Sequence, residues 1–275
     1  MRIYRTAKGI VVEEGNTYKL APGGQWDSLF QQDDLPAYLA GLLERALPLD
    51  AFNLDKLLPP IDGQEVWAAG VTYFRSRTAR MEESSQAGGQ SFYDRVYEAD
   101  RPELFFKSTA HRTVTHNQTV AIRRDSSWSV PEPELALVVD SRARLIGYTV
   151  GNDMSARDIE GANPLYLPQA KVYDRSCSLG PGLLITSEPL PGSTDIQLTI
   201  RRQEEDIFTG ATRISEMKRS PEELIEYLFR QNSFPRGCFL LTGTGIVPPN
   251  NLSIRPGDTI RISIEPIGTL INQVE

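Results

Sequence analysis

Pro131-Glu132-Pro133-Glu134-Leu135-Ala136-Leu137-Val138-Val139, then Asp140-Ser141-Arg142-Ala143-Arg144, then Leu145-Ile146-Gly147-Tyr148-Thr149-Val150-Gly151-Asn152-Asp153, is the stretch on which the fold turns. Two apolar runs, 135–139 and 145–150, flank a link of charged and small residues. So short a link predicts an antiparallel hairpin, because a parallel crossover needs a dozen residues or more. Alternate side chains of an extended chain share a face, so Glu132 and Glu134 point the same way, with Cα atoms roughly 7 Å apart. With the turn centred near Arg142, Glu132 falls opposite residue 152, beside Asp153. Three carboxylates from the two arms of one hairpin therefore converge. Their hard oxygens suit Mg²⁺, Mn²⁺ or Ca²⁺ rather than zinc. The competing reading is of separate surface acids, in a chain that carries 36 Asp and Glu.

Outward from the hairpin, short β-like runs recur at 66–71, 119–122, 198–200 and 259–264. Helices are fewer. One opens at Ser220-Pro221-Glu222-Glu223, where Ser220 can cap, Pro221 suits the first turn and Glu223 completes a capping box ahead of Leu224, Ile225, Leu228 and Phe229. Because strands do not alternate regularly with helices, a β-rich α+β fold is expected rather than a doubly wound sheet or a bundle. Before position 60 lie short strands such as Ile10-Val11-Val12. A helix follows Asp33-Asp34-Leu35-Pro36, with Leu39, Leu42, Leu43 and Ala46 at helical spacing. Pro59-Pro60 breaks the chain, which predicts a small N-terminal α/β domain over 1–60 and a larger domain over 61–275. The polar stretch 74–90 reads either as a lid or as a solvated helix and loop.

At 275 residues the chain suits one large domain, or a large one with a small one. Its formal net charge of −7 has the wrong sign for gripping a phosphate backbone, so no nucleic-acid partner is expected. With 40% hydrophobic and 24% charged residues, and Gly and Pro scattered, disorder, collagen and coiled coil all fit poorly. Two cysteines, Cys177 and Cys238, make no disulfide framework or CxxC pair, so a reducing, cytoplasmic setting is expected. The first residues hold no apolar stretch long enough for a signal peptide or a membrane span.

Several blocks together resemble the fumarylacetoacetate hydrolase family: Asn152-Asp153-Met154-Ser155-Ala156-Arg157-Asp158, Leu167-Pro168-Gln169-Ala170-Lys171-Val172-Tyr173-Asp174, Ser178-Leu179-Gly180-Pro181-Gly182, Phe105-Phe106-Lys107-Ser108 and Thr242-Gly243-Thr244-Gly245. The resemblance runs from about residue 65 to the C-terminus. It implies a mixed β-roll catalytic domain, a divalent metal, usually Mg²⁺, on Glu132, Glu134 and Asp153, and 2-oxo acid substrates. It also implies Lys171 at the substrate, with Gln169, Thr244 and Lys107 as substrate-binding positions, and a homodimer or homotetramer. The chemistry agrees, since a cation on a 2-oxo group stabilises the enolate formed when a proton leaves C3.

Hydrolytic members carry a histidine and a glutamate after a glycine-x-asparagine-tyrosine segment. Here Gly70-Val71-Thr72-Tyr73-Phe74-Arg75-Ser76-Arg77-Thr78-Ala79 puts Ser76 and Ala79 where that water-activating pair would stand. The chain's two histidines, His111 and His116, lie in a polar connection further on. The branch of 2-keto-3-deoxy-D-arabinonate dehydratases is more similar, through Tyr93-Asp94-Arg95-Val96-Tyr97, Arg101-Pro102-Glu103-Leu104, Trp128-Ser129-Val130 and Asn163-Pro164-Leu165-Tyr166. That resemblance implies Glu103 as an acid–base residue. The expected activity is Mg²⁺-dependent dehydration of a 2-keto-3-deoxy sugar acid to 2,5-dioxopentanoate, with Lys171 removing the C3 proton and Glu103 protonating the C4 hydroxyl, or with the two roles exchanged. The alternatives are an acylpyruvate- or fumarylpyruvate-type C–C hydrolase drawing its base from Glu82, Glu83 or His111, and a non-catalytic 2-oxo acid binding module.

Overall fold

A computed structural model describes residues 1–76 and 95–275. The stretch expected as a lid therefore lies largely outside the described residues, as do Glu82 and Glu83. Strands and turns dominate, as expected of a β-rich α+β chain. One sheet contains β1 (Arg2–Thr6), β2 (Gly9–Glu14), β3 (Thr17–Pro22), β4 (Leu47–Leu49), β5 (Glu65–Gly70), β6 (Glu103–Thr109) and β7 (Thr113–Val114). Leaving aside β8 (Thr119–Val120) and β9 (Ser129–Val130), it continues with β10 (Pro133–Val139) and β11 (Leu145–Asp153). After the short β12 (Ser155–Ala156), β13 (Cys177–Ile185) joins it, and so does β16 (Cys238–Leu241). The strand order is β4-β3-β2-β1-β13-β11-β10-β16-β5-β6, with β7 beside β13. A second sheet holds β14 (Asp195–Arg202), β15 (Glu205–Arg213), β17 (Thr259–Ile264), β18 (Gly268–Val274) and β8.

The expected hairpin is β10–β11, at the centre of the large sheet. Leu135, Leu137 and Val139 pack with Ile196, Leu198, Ile200, Ile260 and Ile262 of the second sheet. The alternate residues, Ala136 and Val138, pack with Phe30, Leu35, Leu39 and Leu42 on the opposite face. Both faces are covered, which is why this strand reads as an unbroken apolar run. Helix α1 (Leu35–Glu44) forms that second cover. Asp34 caps it by accepting from the Ala37 N–H at 2.9 Å, and Pro36 sits in its first turn. The first 60 residues thus do not hang apart: β1 pairs with β13 and extends the same sheet.

The hairpin register differs from expectation by one residue. Pro133 lies opposite Asn152, and a bulge between Val138 and Val139 supplies the extra position on β11. Glu132 consequently sits beside Asp153, whose N–H donates to the Glu132 carbonyl at 3.0 Å. Asp140 holds the turn together. Its Oδ1 accepts from the backbone N–H groups of Arg142 and Arg144 at 2.9 and 2.8 Å, and its Oδ2 from Arg144 Nε at 2.6 Å. Asp140→Ala leaves those donors without an acceptor at a position that is only 1% exposed. The expected loss is about 1–3 kcal/mol, read as a lower urea midpoint at unchanged slope.

The later helix, α4 (Pro221–Phe229; α2 and α3 lie at the site below), begins as read, with the Ser220 hydroxyl accepting from the Glu223 N–H at 3.2 Å. The Glu223 carboxylate, however, takes Arg219 as partner at 2.6 Å. Both cysteines are free and buried, and burial pushes the Cys177 thiol up to about 12, which keeps it protonated and unreactive.

Candidate metal and acid–base centre

Where β10 begins and β11 ends, Glu132, Glu134 and Asp153 bring one carboxylate oxygen each to within 4.8 Å of one another, and all three residues are buried. Strand geometry puts them there. Glu132 and Glu134 are two residues apart on one face, and Asp153 shares the face of Gly151, the cross-strand partner of Glu134. Burial, and then the charges of Asp153 and Glu132, hold the Glu134 carboxyl well above the usual carboxylate range, against the opposing pull of Lys171 and the Gly243 N–H. That N–H donates to Glu134 Oε2 at 2.6 Å.

Three cations answer the three acids. Lys171, at the end of α3 (Leu167–Lys171), places Nζ 2.5 Å from Glu132 Oε2, 2.9 Å from Asp153 Oδ2 and 2.6 Å from the Ser155 hydroxyl. Arg157 opens α2 (Arg157–Ala162) and donates from Nη2 to Glu132 Oε1 at 2.7 Å. Lys107 stands 2.5 Å from Asp153 Oδ1 as a close ion pair. Its Nζ also donates to the carbonyls of Met154 at 3.0 Å and Lys171 at 2.5 Å. A bulge in the β5–β6 ladder makes Lys107 the extra residue on β6, which turns its side chain in toward Asp153. Two of its N–H groups are thus given to backbone carbonyls while its charge faces Asp153, and it is wholly buried. Its contacts are to the machinery rather than to an open face.

The donor set fits a hard divalent cation. Three oxygen ligands are held close against their own repulsion, and an ammonium already sits across two of them, where a metal ion would compete for the same oxygens. Burial and the charge of Asp153 raise the Tyr173 phenol, and its ring lies 5.9 Å from Lys107 Nζ. The Phe105 ring lies 5.7 Å from Lys171 Nζ.

Of the other expected residues, Thr244 is buried in the loop after β16, its hydroxyl accepting from the Ile246 N–H at 3.2 Å. Gln169 is exposed on α3, two residues before Lys171, and Glu103 starts β6. Ser76, standing where a hydrolase carries histidine, turns back on its own segment and donates to the Tyr73 carbonyl at 2.8 Å. His111 is exposed, with its Nδ1 2.8 Å from the Thr109 hydroxyl. Neither Arg157 nor Ser155 is among the site residues expected from the sequence. Both lie in the Asn152-to-Asp158 block, and a basic residue four beyond an expected acidic ligand was the available signal.

Residues 71–275 match the family model for the C-terminal part of fumarylacetoacetate hydrolase, and the chain belongs to that family. Among its relatives, a probable 2-keto-3-deoxyxylonate dehydratase of Haloferax volcanii is 50% identical over 227 residues, spanning 82% of this chain and 77% of the relative. The 2-dehydro-3-deoxy-D-arabinonate dehydratase of Saccharolobus solfataricus is 44% identical over 232 residues, spanning 82% and 78%. The solved apo form of a 2-keto-3-deoxy-D-arabinonate dehydratase matches with a TM-score of 0.86 at 34% identity, over 100% of this chain and 99% of that one. One complexed with magnesium and 2,5-dioxopentanoate matches at 0.83, with 34% identity, over 100% and 99%.

Proposed function

We propose that the protein is a Mg²⁺-dependent hydro-lyase that converts a 2-keto-3-deoxypentonate, such as 2-keto-3-deoxy-D-arabinonate, to 2,5-dioxopentanoate in pentose catabolism. The observation that carries this reading is the position of Lys171, whose ammonium reaches two members of a buried carboxylate triad within hydrogen-bond distance. The dehydratase relatives support the substrate class. Glu132, Glu134 and Asp153 would hold Mg²⁺, with Mn²⁺ or Ca²⁺ as substitutes, and the bound ion supplies positive charge beside the 2-oxo group that makes the C3 protons acidic. Lys107 and Arg157 stay as counter-charges to the triad, while Lys171 enters the reaction as its neutral amine, having given its proton to solvent as the site fills.

Lys171 removes the C3 proton, and Glu103 protonates the C4 hydroxyl as it leaves, so water departs and C3 and C4 become doubly bonded. Glu103, now a carboxylate, takes a proton from C5 while Lys171 returns its proton to C3. The enol so formed ketonises to the semialdehyde, and both side chains end as they began. Lys107 is assigned to holding Asp153 and the Lys171 backbone, and Gln169 and Thr244 to contacting substrate. Residues 1–60 act as a small unit leaning on the catalytic unit 61–275. A homodimer or homotetramer in the cytoplasm completes the reading. No described helix is long and apolar enough to cross a membrane.

The test offers the Mg²⁺-loaded protein a panel of 2-keto-3-deoxypentonates and acylpyruvates. Water loss without C–C cleavage, yielding a semialdehyde, is expected. Release of pyruvate with a carboxylic acid would instead establish the hydrolase, and tight 2-oxo acid binding with no turnover the binding module.

A further inference from the structure

Gly70 ends β5, and its cross-strand partner is Glu103, the last pair of the β5–β6 ladder. Directly opposed residues share a face of the sheet. A Cβ placed on Gly70 would stand 2.1 Å from Glu103 Oε2 and 2.6 Å from its Cδ. The carboxyl therefore rests on the bare Cα of the glycine, and any side chain at position 70 would have to evict it.

The direction of that lean follows from the strand order. β6 is the edge strand, and inward from it come β5, β16 and β10. Ala68 lies level with Leu241, and Leu241 with Ala136. Two residues further along, β5 reaches Gly70 and β10 reaches Glu134; past the end of β16 the Thr242 N–H still donates to the Leu135 carbonyl at 3.0 Å and the Gly243 N–H to the Glu134 carboxylate at 2.6 Å, which keeps Gly243 between them. Glu103, Gly70, Gly243 and Glu134 thus form one row across the sheet, an acid at each end and two glycines between. At about 4.8 Å per strand the acids start roughly 14 Å apart, and lying over Gly70 carries the Glu103 carboxyl about one strand nearer the metal carboxylates. The turn beyond is held firmly. Val71 takes φ 53°, which a β-branched residue adopts only where its surroundings impose it, and the Thr72 hydroxyl donates to the Thr242 carbonyl at 2.6 Å.

We propose that Gly70 is a positioning residue for the reaction: its missing side chain is the seat that lets Glu103 reach across the sheet toward the substrate's leaving hydroxyl. The inference rests on the reading of Glu103 as the acid. It is tested with the Mg²⁺-loaded variants Gly70→Ala, Glu103→Asp, Glu103→Gln and Gly70→Ala/Glu103→Asp. Gly70→Ala is expected to lower kcat about 10²-fold, the loss that a misplacement of roughly 1 Å causes, with Mg²⁺ affinity unchanged. The shorter acid clears the added methyl, so the double variant should recover about tenfold over Gly70→Ala alone, the signature of two coupled sites. Near-wild-type turnover in Gly70→Ala would overturn the proposal, as would the same fractional loss when Gly70→Ala is added to Glu103→Gln. Near-wild-type turnover in Glu103→Gln would instead remove the reading of Glu103 on which the proposal stands.

Discussion

Lys171→Met is expected to lower kcat by roughly 10²–10⁴, the contribution of a positioned acid–base group. The same change withdraws the ammonium that now contacts Glu132, Asp153 and Ser155. Two buried carboxylates lose a counter-charge, at a cost on the order of 3–5 kcal/mol to the metal-free protein. A divalent cation at the triad would replace the lost positive charge. Added Mg²⁺ should therefore raise the Tm of Lys171→Met by more than it raises that of the wild type, which thermal unfolding with and without the ion measures. Lys171→Arg separates the two roles. It keeps the charge and should keep the stability, but a guanidinium does not give up its proton, so turnover stays low. Wild-type turnover by Lys171→Arg would sink the assignment of Lys171 as the base.

Asp153→Asn strikes the metal and the counter-ions together. Asp153 is the acid shared by Lys107 at 2.5 Å and Lys171 at 2.9 Å, so its neutral form leaves two buried ammonium groups with one acid fewer. Destabilisation of about 3–5 kcal/mol is expected. Loss of a mere supporting partner weakens metal binding roughly 10–100-fold, and loss of a ligand should exceed that. Glu134→Gln is the informative contrast. Burial and two neighbouring negative charges already disfavour the Glu134 carboxylate, so its neutralisation should cost the metal-free protein little while abolishing Mg²⁺ binding. Calorimetric titration of Mg²⁺ into the three proteins, beside urea unfolding of each, checks both signs.

The triad was legible because hairpins obey a period of two. Glu132 and Glu134 had to share a face, and the polar link after Val139 had to turn the chain back toward Asp153. A one-residue error in the register did not matter, because the bulge brought Glu132 opposite Asp153 instead of Asn152. What stayed hidden was set by distant chain segments. Nothing local says that Arg157 turns inward to Glu132, or that a bulge drives Lys107 wholly beneath the site. Gly70 was visible only as a member of a motif. Its close approach to Glu103 depends on β5 and β6 pairing across more than thirty intervening residues of chain, which no pattern within either strand encodes. The break at Pro59-Pro60 marked a change of local chemistry, yet β1 crosses it in space to pair with β13.

The most direct test of the centre is a titration of chelator-stripped protein with Mg²⁺ while dehydration is followed. A requirement for Mg²⁺ at the triad predicts no turnover in the stripped protein and full recovery at one ion per chain, with Asp153→Asn recovering none. Undiminished activity after stripping, or equal recovery by Asp153→Asn, would contradict it.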